Sequence, residues 1–311
     1  MEESYDVIVI GGGAAGLTAG IYLARARMKT LIVDHGSIGG QMVLTHSVAN
    51  YPGVPEASGA ELVQVMRRQA ESFGCRVLGH ADILSMELHA AQKRIEVDDE
   101  GVFTAPAVIV ATGGLSRTLG LESESRLRGR GISYCATCDG DFFTDQDIAV
   151  IGGGNSALEE AVSLTKYASS VTIIHEFDHF QAQPWAVEEA KKNEKIRFLM
   201  NQRVLDFEGE DNVQAVLSVD KSSGEQHRTP VTGAFIFIGY VPNTKHFEGL
   251  LELSPRMEIV ADEEMRTSLA GVFAAGDART KRYRQITTAV ADGTIAALSA
   301  IDYVNGQRLV A

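Results

Sequence analysis

The sequence predicts an α/β fold, because one pattern of an apolar run, a glycine-rich turn and a helical segment occurs twice. The first copy runs from Asp6 to Gly16 and the second from Asp147 to Ala157, at a constant offset (147 − 6 = 157 − 16 = 141). Each copy opens with a Val- and Ile-rich run that is typical of a strand buried on both faces. A further apolar run follows each helical segment, which completes the β-α-β order of dinucleotide-binding domains. We therefore predict two Rossmann-like dinucleotide-binding domains, the second inserted in the first.

The individual elements follow from these patterns in chain order. In the first copy we expect strands at 5–10 and 29–34 with a helix at 17–27, and in the second copy strands at 147–151 and 170–175 with a helix at 157–167. Further strands are predicted at 107–111, 232–239 and 271–276. We interpret 271–276 as a late return to the first sheet. The predicted domains are therefore a discontinuous first dinucleotide-binding domain, 1–116 with 245–311, and a second dinucleotide-binding domain, 117–244, that carries the cysteine pair.

Composition excludes several classes of function. The chain has 311 residues, of which 45% are hydrophobic and 22% charged, as in an ordinary globular protein. A formal charge of −13 argues against nucleic-acid binding, which needs clustered Lys and Arg. No apolar run reaches the roughly 20 residues of a membrane span. Three cysteines form no disulfide framework, and a first strand near Tyr5 leaves no signal peptide, so we expect a cytoplasmic protein.

The first glycine turn has the features of a phosphate-binding turn. Gly11, Gly13 and Gly16 permit a tight turn, close approach of the backbone to a pyrophosphate and close helix packing. The helix that follows offers free N–H groups and the positive end of its dipole. Asp34 lies 34 − 11 = 23 residues after Gly11, where it can accept a ribose hydroxyl. The alternative is a packing turn without a ligand.

The second turn reads Gly152-x-Gly154-x-x-Ala157. Alanine is tolerated at the last place, which needs only a small residue for helix packing. Asn155 and Ser156 can donate to a phosphate or cap the helix.

Between the two turns lies the pair Cys135-x-x-Cys138, for which three explanations compete. A zinc site would need two more ligands, and Cys75 is the only other thiol, so we expect no metal. Two inert buried thiols are the second explanation. A redox dithiol is the third and is favoured, because this spacing suits a small disulfide ring and a helix start stabilises thiolates. Asp139 could donate or accept protons near the sulfurs, or it could serve as a helix cap or turn residue. We interpret Cys75, the third cysteine, as structural.

The segment Ser133-Tyr-Cys-Ala-Thr-Cys-Asp-Gly140 resembles the active-site segment of the low-molecular-weight thioredoxin reductases, small homodimeric FAD enzymes. Further blocks resemble that family in the same order over nearly the whole chain: Gly39-Gly40-Gln41, Asn50-Tyr51-Pro52-Gly53, Ala111-Thr112-Gly113, Gly239-Tyr240-Val241-Pro242-Asn243, Gly276-Asp277 and Arg284-Gln285-Ile286. Plain turn roles for Gly39, Gly40, Pro52 and Gly53, and a solvated charge at Arg284, are the alternatives.

The resemblance implies FAD at the first turn and a nicotinamide dinucleotide at the second. The implied FAD residues are Gly11, Gly13, Ala14, Ala15, Gly16, Asp34, Gly39, Gly40, Gln41, Asn50, Ala111, Thr112, Gly113, Gly276, Asp277, Arg284, Gln285 and Ile286. The implied dinucleotide residues are Gly152, Gly154, Asn155, Ser156, Ala157, His175, Glu176, Phe177 and Gly239. It also implies Cys138 as the sulfur beside the flavin, Cys135 as the sulfur that attacks thioredoxin, and a homodimer.

One departure from the family concerns the dinucleotide. Where NADPH-using members have a His-Arg-Arg run and a further Arg, this chain has Glu176, Phe177 and Gln181 instead of the arginines. A 2′-phosphate favours Arg, whereas a carboxylate 176 − 152 = 24 residues after Gly152 can accept both ribose hydroxyls of NADH. The Glu-Phe pair also resembles the NADH-using flavoprotein subunit of bacterial alkyl hydroperoxide reductases. We predict NADH over NADPH; the alternative is a degenerate site with another donor, such as ferredoxin.

The predicted function is therefore a thioredoxin-disulfide reductase that passes electrons from NADH through FAD and the dithiol to a thioredoxin-like protein. Because the dithiol and the nicotinamide site share one domain, we expect them to reach the flavin in turn, by rotation at 113–117 and 241–245. Glycines 113, 114 and 239 could absorb the change. Alternatives are service to a peroxiredoxin system, oxidation of a small dithiol by oxygen, or a non-catalytic redox sensor.

Overall fold

The chain forms two compact units in the computed structural model, which describes residues 2–44, 48, 50–54 and 57–310. Unit 1 comprises Met1–Leu115 and Val241–Ala311, and unit 2 comprises Ser116–Tyr240. Unit 1 is therefore discontinuous in sequence.

The chain up to Ser116, the first residue of unit 2, contains mostly strands. In order they are β1 Glu2–Ser4, β2 Val7–Ile10, β3 Thr30–Val33, β4 Arg76–Leu78, β5 Ile83–Glu87, β6 Lys93–Val97, β7 Gly101–Ala105, β8 Ala107–Val110 and β9 Gly114–Ser116. The helices here are α1 Ala14–Arg25 and α2 Gly59–Ser72, with a 3-10 helix at Gly40–Leu44.

Unit 2 alternates strands and helices before it ends in antiparallel strands. Its helices are α3 Glu122–Leu127, α4 Ala136–Asp139, α5 Asn155–Leu164 and α6 Pro184–Lys192, with a 3-10 helix at Gly140–Phe143. Its strands are β10 Ile132–Ser133, β11 Asp147–Ile151, β12 Ser170–Ile174, β13 Ile196–Leu199, β14 Gln202–Glu208, β15 Ala215–Asp220, β16 Gln226–Pro230 and β17 Gly233–Ile236.

The last part of the chain returns to unit 1. It contains β18 Tyr240–Pro242, β19 Val272–Ala274 and α7 Ile286–Val310, with 3-10 helices at Lys245–Phe247 and Gly276–Ala278.

A parallel sheet in the order β19-β8-β2-β3-β4 forms the centre of unit 1. Strand β2 is buried along its whole length. Val7 and Val9 pack on the side of α1, α2 and α7, whereas Ile8 packs with Phe103 of the second sheet, β1-β7-β6-β5. An apolar run without alternation therefore gives a strand covered on both faces.

Unit 2 repeats this plan around a parallel sheet in the order β10-β17-β11-β12-β13. Val150 packs among side chains of α5 and α6, while Ile151 packs with Phe207 and Val216 of the antiparallel sheet β14-β15-β16. The predicted α/β class with two such domains is confirmed.

The helix starts differ from the sequence prediction. Helix α1 begins at Ala14 instead of residue 17, and α5 at Asn155 instead of residue 157. The prediction placed each start at the first residue of the apolar periodicity, whereas the first turn of each helix consists of small or polar residues that carry no such periodicity.

Helix α7 packs closely on α1 through small residues. A Cβ built on Gly293 would lie 2.2 Å from the carbonyl oxygen of Ala15, and Ala289, Ala296 and Ala297 are buried beside it. Within the part of the chain that the structure describes, no helix has the length and apolar character needed to cross a membrane.

The Gly293→Ala variant should destabilise unit 1, because the added methyl group would have to displace the backbone of α1. Overpacking of this kind costs about 1–3 kcal/mol of unfolding free energy. Gly306→Ala is the matched control on the same helix, since nothing lies within 4 Å of its built Cβ, and it should be neutral or stabilising by up to about 1 kcal/mol. Urea unfolding followed by circular dichroism measures both; equal midpoints for the two variants would contradict the close packing.

Candidate functional site

The two glycine turns have the same backbone geometry. Gly11 has φ +111°, and a Cβ built on it would lie 2.2 Å from the carbonyl oxygen of Ala111. Gly152 has φ +137°, and its built Cβ would lie 2.3 Å from the carbonyl oxygen of Phe237. Each turn therefore touches the end of the neighbouring strand, β8 or β17, and only glycine fits there.

The next positions of the turns leave the helix N-termini accessible. Gly13 and Gly154 are the N-caps of α1 and α5, and neither helix is capped by a side-chain hydrogen bond. A Cβ built on either glycine would have no atom within 4 Å. A Cβ on Gly16 would lie 1.8 Å from the oxygen of Gly11, while the second copy accepts Ala157. Both turns thus fit the diphosphate of a dinucleotide, which uses open N–H groups at a helix start.

Asp34 lies beside the first turn, half-buried after β3. Its Oδ2 accepts a hydrogen bond from the N–H of Gly12 at 2.5 Å, and its Oδ1 accepts from the N–H of Gly36 at 2.8 Å. Each carboxylate oxygen has a second lone pair that a ribose hydroxyl can use.

The Gly39–Gly40 segment also lies against the first turn. The N–H of Gly39 donates to the oxygen of Gly12 at 2.8 Å, and a Cβ built on Gly40 would lie 3.6 Å from the Cα of Gly13. Gly39 has φ +119°. Of the neighbouring predicted residues, Gln41 lies in the 3-10 helix Gly40–Leu44 and is exposed, and Asn50 is exposed.

The end of β8 is joined to the returning chain. Thr112 Oγ1 donates to the oxygen of Asn243 at 2.8 Å, and Asn243 Nδ2 donates to the oxygen of Thr112 at 3.1 Å. The N–H of Asn243 donates to the oxygen of Gly113, which has φ +61°. Pairing of these two segments fixes the predicted residues 111–113 at the sheet end next to the first turn.

Gly276 approaches the start of α1, since its built Cβ would lie 2.9 Å from the Cβ of Ala15. Asp292, which the sequence reasoning missed, accepts from the N–H of Gly276 at 3.1 Å and from Lys281 Nζ at 2.8 Å. Burial raises the pKa of Asp277 above its ordinary value, although Lys281 acts in the opposite direction.

Arg284 pairs with Glu258, a buried carboxylate, rather than standing as a solvated charge. The N–H of Gln285 donates to Thr288 Oγ1 at 3.1 Å, and α7 begins at Ile286.

At the second turn, Asn155 and Ser156 are the first residues of α5. Asn155 Oδ1 accepts from the N–H of Gln183 at 2.7 Å, and Ser156 is exposed. The interpretation of these two residues as helix caps is wrong, because the N-cap is Gly154 and the helix starts at Asn155 itself.

His175 supports the second turn from beneath. Its buried ring fills the space where a Cβ on Gly153 would fall, 2.4 Å from ring atoms, and its Nε2 lies 3.1 Å from the oxygen of His179. Burial lowers the pKa of His175, so the ring stays neutral at pH near 7. The residue positions the turn by packing.

Glu176 and Phe177 follow β12 and are exposed. Lys221 Nζ lies 3.4 Å from Glu176 Oε1 and 5.1 Å from the centroid of the Phe177 ring. Sequence reasoning missed Lys221, which lies 45 residues further along the chain. Gly239, the remaining predicted residue, has φ +122° and its oxygen accepts from the N–H of Arg117.

Cys135 and Cys138 form a disulfide at the start of α4. Cys135 is the N-cap of this short helix, and its Sγ accepts from the N–H of Cys138 at 3.2 Å. Ala136 between them is buried in the core of unit 2, and a Cβ on Gly140 would press against Leu164. The dithiol is thus held on a turn anchored to the core, while both cysteines remain partly exposed.

Asp139 lies next to the disulfide. Its Oδ2 accepts from the buried Ser133 Oγ at 2.6 Å, and the same oxygen of Ser133 accepts from the N–H of Cys135 at 3.0 Å. Asp139 precedes the 3-10 helix but makes no side-chain cap there. Ser133 therefore orients the carboxylate and fixes the chain that leads into the dithiol.

A buried carboxylate further supports this segment. Glu124 accepts from Tyr134 Oη at 2.6 Å and from the N–H groups of Leu119 and Gly120 at 3.1 and 2.9 Å. Burial, with Glu124 nearby, raises the pKa of Tyr134 above its ordinary value. Sequence reasoning missed Glu124, since no pattern in the chain pairs position 124 with position 134.

The sequence model of a family described as pyridine nucleotide-disulphide oxidoreductase matches residues 5–293. A thioredoxin reductase of Peptoclostridium litorale is 44% identical over 312 residues, covering 98% of each chain. A thioredoxin reductase of Bacillus subtilis is 42% identical, and the match covers 97% of this chain and 96% of the Bacillus subtilis protein. The crystal structure of thioredoxin reductase from Streptococcus pyogenes superimposes with a TM-score of 0.93 at 39% identity, covering 97% of this chain and 99% of its own.

Cys75 should remain unreactive in the folded, reduced protein. It is buried, and burial raises its pKa to about 12. At pH 8 only about one such thiol in ten thousand is ionised. After reduction, iodoacetamide should label Cys135 and Cys138 in the native state and Cys75 only in denaturant, as mass spectrometry would show. Native labelling of Cys75 at the rate of the other two would contradict its structural role.

Proposed function

The chain belongs to the pyridine nucleotide-disulphide oxidoreductase family, as an oxidoreductase of the low-molecular-weight thioredoxin reductase type, and we propose that it reduces a thioredoxin-like protein with electrons from NADH. The route runs through FAD and the Cys135–Cys138 pair. The observation that carries the proposal is the disulfide on α4, with Asp139 and Ser133 beside it.

The first turn has the residues to hold FAD. The open start of α1 at Gly13 would receive the diphosphate, and Asp34 would accept a ribose hydroxyl. The segments at 39–40 and 111–113 and the residue Gly276 lie against the turn or the start of α1. When bound, FAD supplies a two-electron carrier between a nicotinamide and a disulfide.

The dithiol acts on its substrate by thiol–disulfide exchange. The Cys135 thiolate attacks one sulfur of the partner's disulfide, forms a mixed disulfide and releases the other sulfur as a thiolate. Cys138 then attacks Cys135, which re-forms the disulfide seen here and frees the partner as a dithiol. Two electrons leave the protein, and Asp139, the residue after Cys138, exchanges the accompanying protons in this proposal.

The residues at and near the second turn support NADH as the proposed electron donor. The start of α5 is open to a diphosphate, and Glu176 stands exposed after β12. A 2′-phosphate carries about two negative charges and would be repelled by this carboxylate, whereas ribose hydroxyls would donate to it. The donor is therefore NADH rather than NADPH. The homodimer and the cytoplasmic location stay predictions.

Anaerobic titration of the FAD-loaded protein tests the donor. NADH should bleach the flavin absorbance at a concentration about tenfold or more below that of NADPH, because roughly 1.4 kcal/mol of repulsion already corresponds to tenfold. Dithionite is the control that the flavin is reducible.

An equal or better response to NADPH would contradict the role of Glu176. No response to either nucleotide would instead favour a donor such as ferredoxin.

Cys138→Ser and Cys135→Ser form a matched pair that tests the dithiol. In both variants NADH should still bleach the flavin, while reduction of a thioredoxin disulfide should fall to background, because a single thiol cannot complete the exchange. Stopped-flow absorbance and an insulin-reduction assay give the two readouts. Reductase activity retained in Cys138→Ser would remove the dithiol from the pathway.

A further inference from the structure

The side chain of Lys221 lies beside Glu176, where the sequence pattern indicated only a negative charge. Lys221 lies in the turn between β15 and β16, and its Nζ lies 3.4 Å from Glu176 Oε1. The same nitrogen lies 5.1 Å from the centre of the Phe177 ring. The two charged side chains keep 37% and 52% of their surface exposed.

The backbone of Lys221 is fixed to the end of β12 by hydrogen bonds. Its N–H donates to the oxygen of Asn201 at 2.9 Å, and the N–H of Asn201 donates to the oxygen of Phe177 at 2.9 Å. Asn201 Nδ2 also donates to Ser222 Oγ at 2.5 Å. The backbone position from which the Lys221 side chain reaches Glu176 is therefore fixed.

The turn that carries Lys221 is itself ordered by a side chain. Asp220 Oδ1 accepts from the N–H groups of Ser222 and Ser223, at 2.8 and 2.9 Å. These bonds close the turn around Lys221, so its backbone keeps its position whether or not Glu176 carries a charge.

We propose that Lys221 is a second determinant of dinucleotide choice, which Glu176 holds in check. This inference rests on the proposed dinucleotide site. In the wild type, Lys221 pairs with Oε1 of Glu176. Because a carboxylate offers about four lone-pair sites, Oε2 can still accept hydrogen bonds from ribose hydroxyls. Glu176 thus disfavours a 2′-phosphate in two ways. It repels the phosphate directly, and it pairs with the Lys221 ammonium that would otherwise bind the phosphate.

Removal of the charge on Glu176 alone should then convert the site. The Lys221 ammonium would face the ribose without its carboxylate partner, and an ammonium binds phosphate oxygens by charge-assisted hydrogen bonds. The latent cation makes Glu176 a one-residue switch between the two nucleotides. Without Lys221 the same substitution would leave no ammonium at this position to bind the phosphate.

The pair contributes little to folding, because exposed ion pairs are weak. Substitutions at Glu176 and Lys221 should therefore leave the protein folded, and changes in ligand binding can be read directly.

The experiment measures binding of 5′-AMP and 2′,5′-ADP to the full-length, FAD-loaded protein by isothermal titration calorimetry. These probes differ only in the 2′-phosphate and carry no nicotinamide, so the readout is independent of electron transfer. The variants are Glu176→Gln, Lys221→Met and the double variant. Glu176→Gln combined with Lys166→Met is the control, because Lys166 is exposed beyond the far end of α5.

We expect the wild type and Lys221→Met to prefer 5′-AMP. Glu176→Gln should gain at least about tenfold in affinity for 2′,5′-ADP, and the gain should shrink in high salt. The double variant with Lys221→Met should lose this gain, whereas the control with Lys166→Met should keep it.

Two results would overturn the inference: no gain of 2′,5′-ADP affinity in Glu176→Gln, or a gain that survives in the double variant with Lys221→Met. Failure of the proposed function has a different signature. In that case the wild type binds neither probe and NADH does not bleach the flavin.

Discussion

The close contact between each glycine turn and a neighbouring strand end is the constraint on which both units depend. Gly11 meets the carbonyl of Ala111, and Gly152 meets that of Phe237, at distances that leave no room for a side chain. In each copy the helix that follows the turn begins without a side-chain cap, so its first N–H groups are open. The same local geometry therefore leaves two helix N-termini open to an anion, and what each could bind depends on the residues around it.

Around the dithiol, buried polar groups provide the rigidity that a four-residue helix cannot provide alone. Ser133 joins Asp139 to the N–H of Cys135, and Glu124 ties Tyr134 to the start of α3. Each of these bonds satisfies a group that would be costly to bury without a partner. The sulfur atoms thus sit on a fixed base and remain partly exposed, which is what exchange with a protein disulfide requires.

Past the end of β12, Glu176 forms an ion pair with Lys221, and Asp178 pairs with His179. Glu176 and Lys221 come from different strand connections, and the Lys221 ammonium also lies over the Phe177 ring. Under the proposed function, charges of both signs at this site would discriminate between nucleotides by which partner each charge finds, rather than by net potential. This arrangement distinguishes the second turn from the first, where Asp34 binds the turn's own backbone.

The sequence by itself determined the α/β class, the β-α-β units, the two turns and the cysteine pair, because apolar runs, glycine spacing and a short disulfide ring are local properties. It also located Glu176, whose distance from Gly152 is set by the length of one helix and one strand. Only the tertiary structure paired Lys221 with Glu176, Asp292 with Gly276 and Glu124 with Tyr134, and only it excluded the capping roles of Asn155 and Ser156. Those contacts depend on strand order, turn geometry and the hydrogen bond that starts a helix, none of which has a periodic signature in the chain.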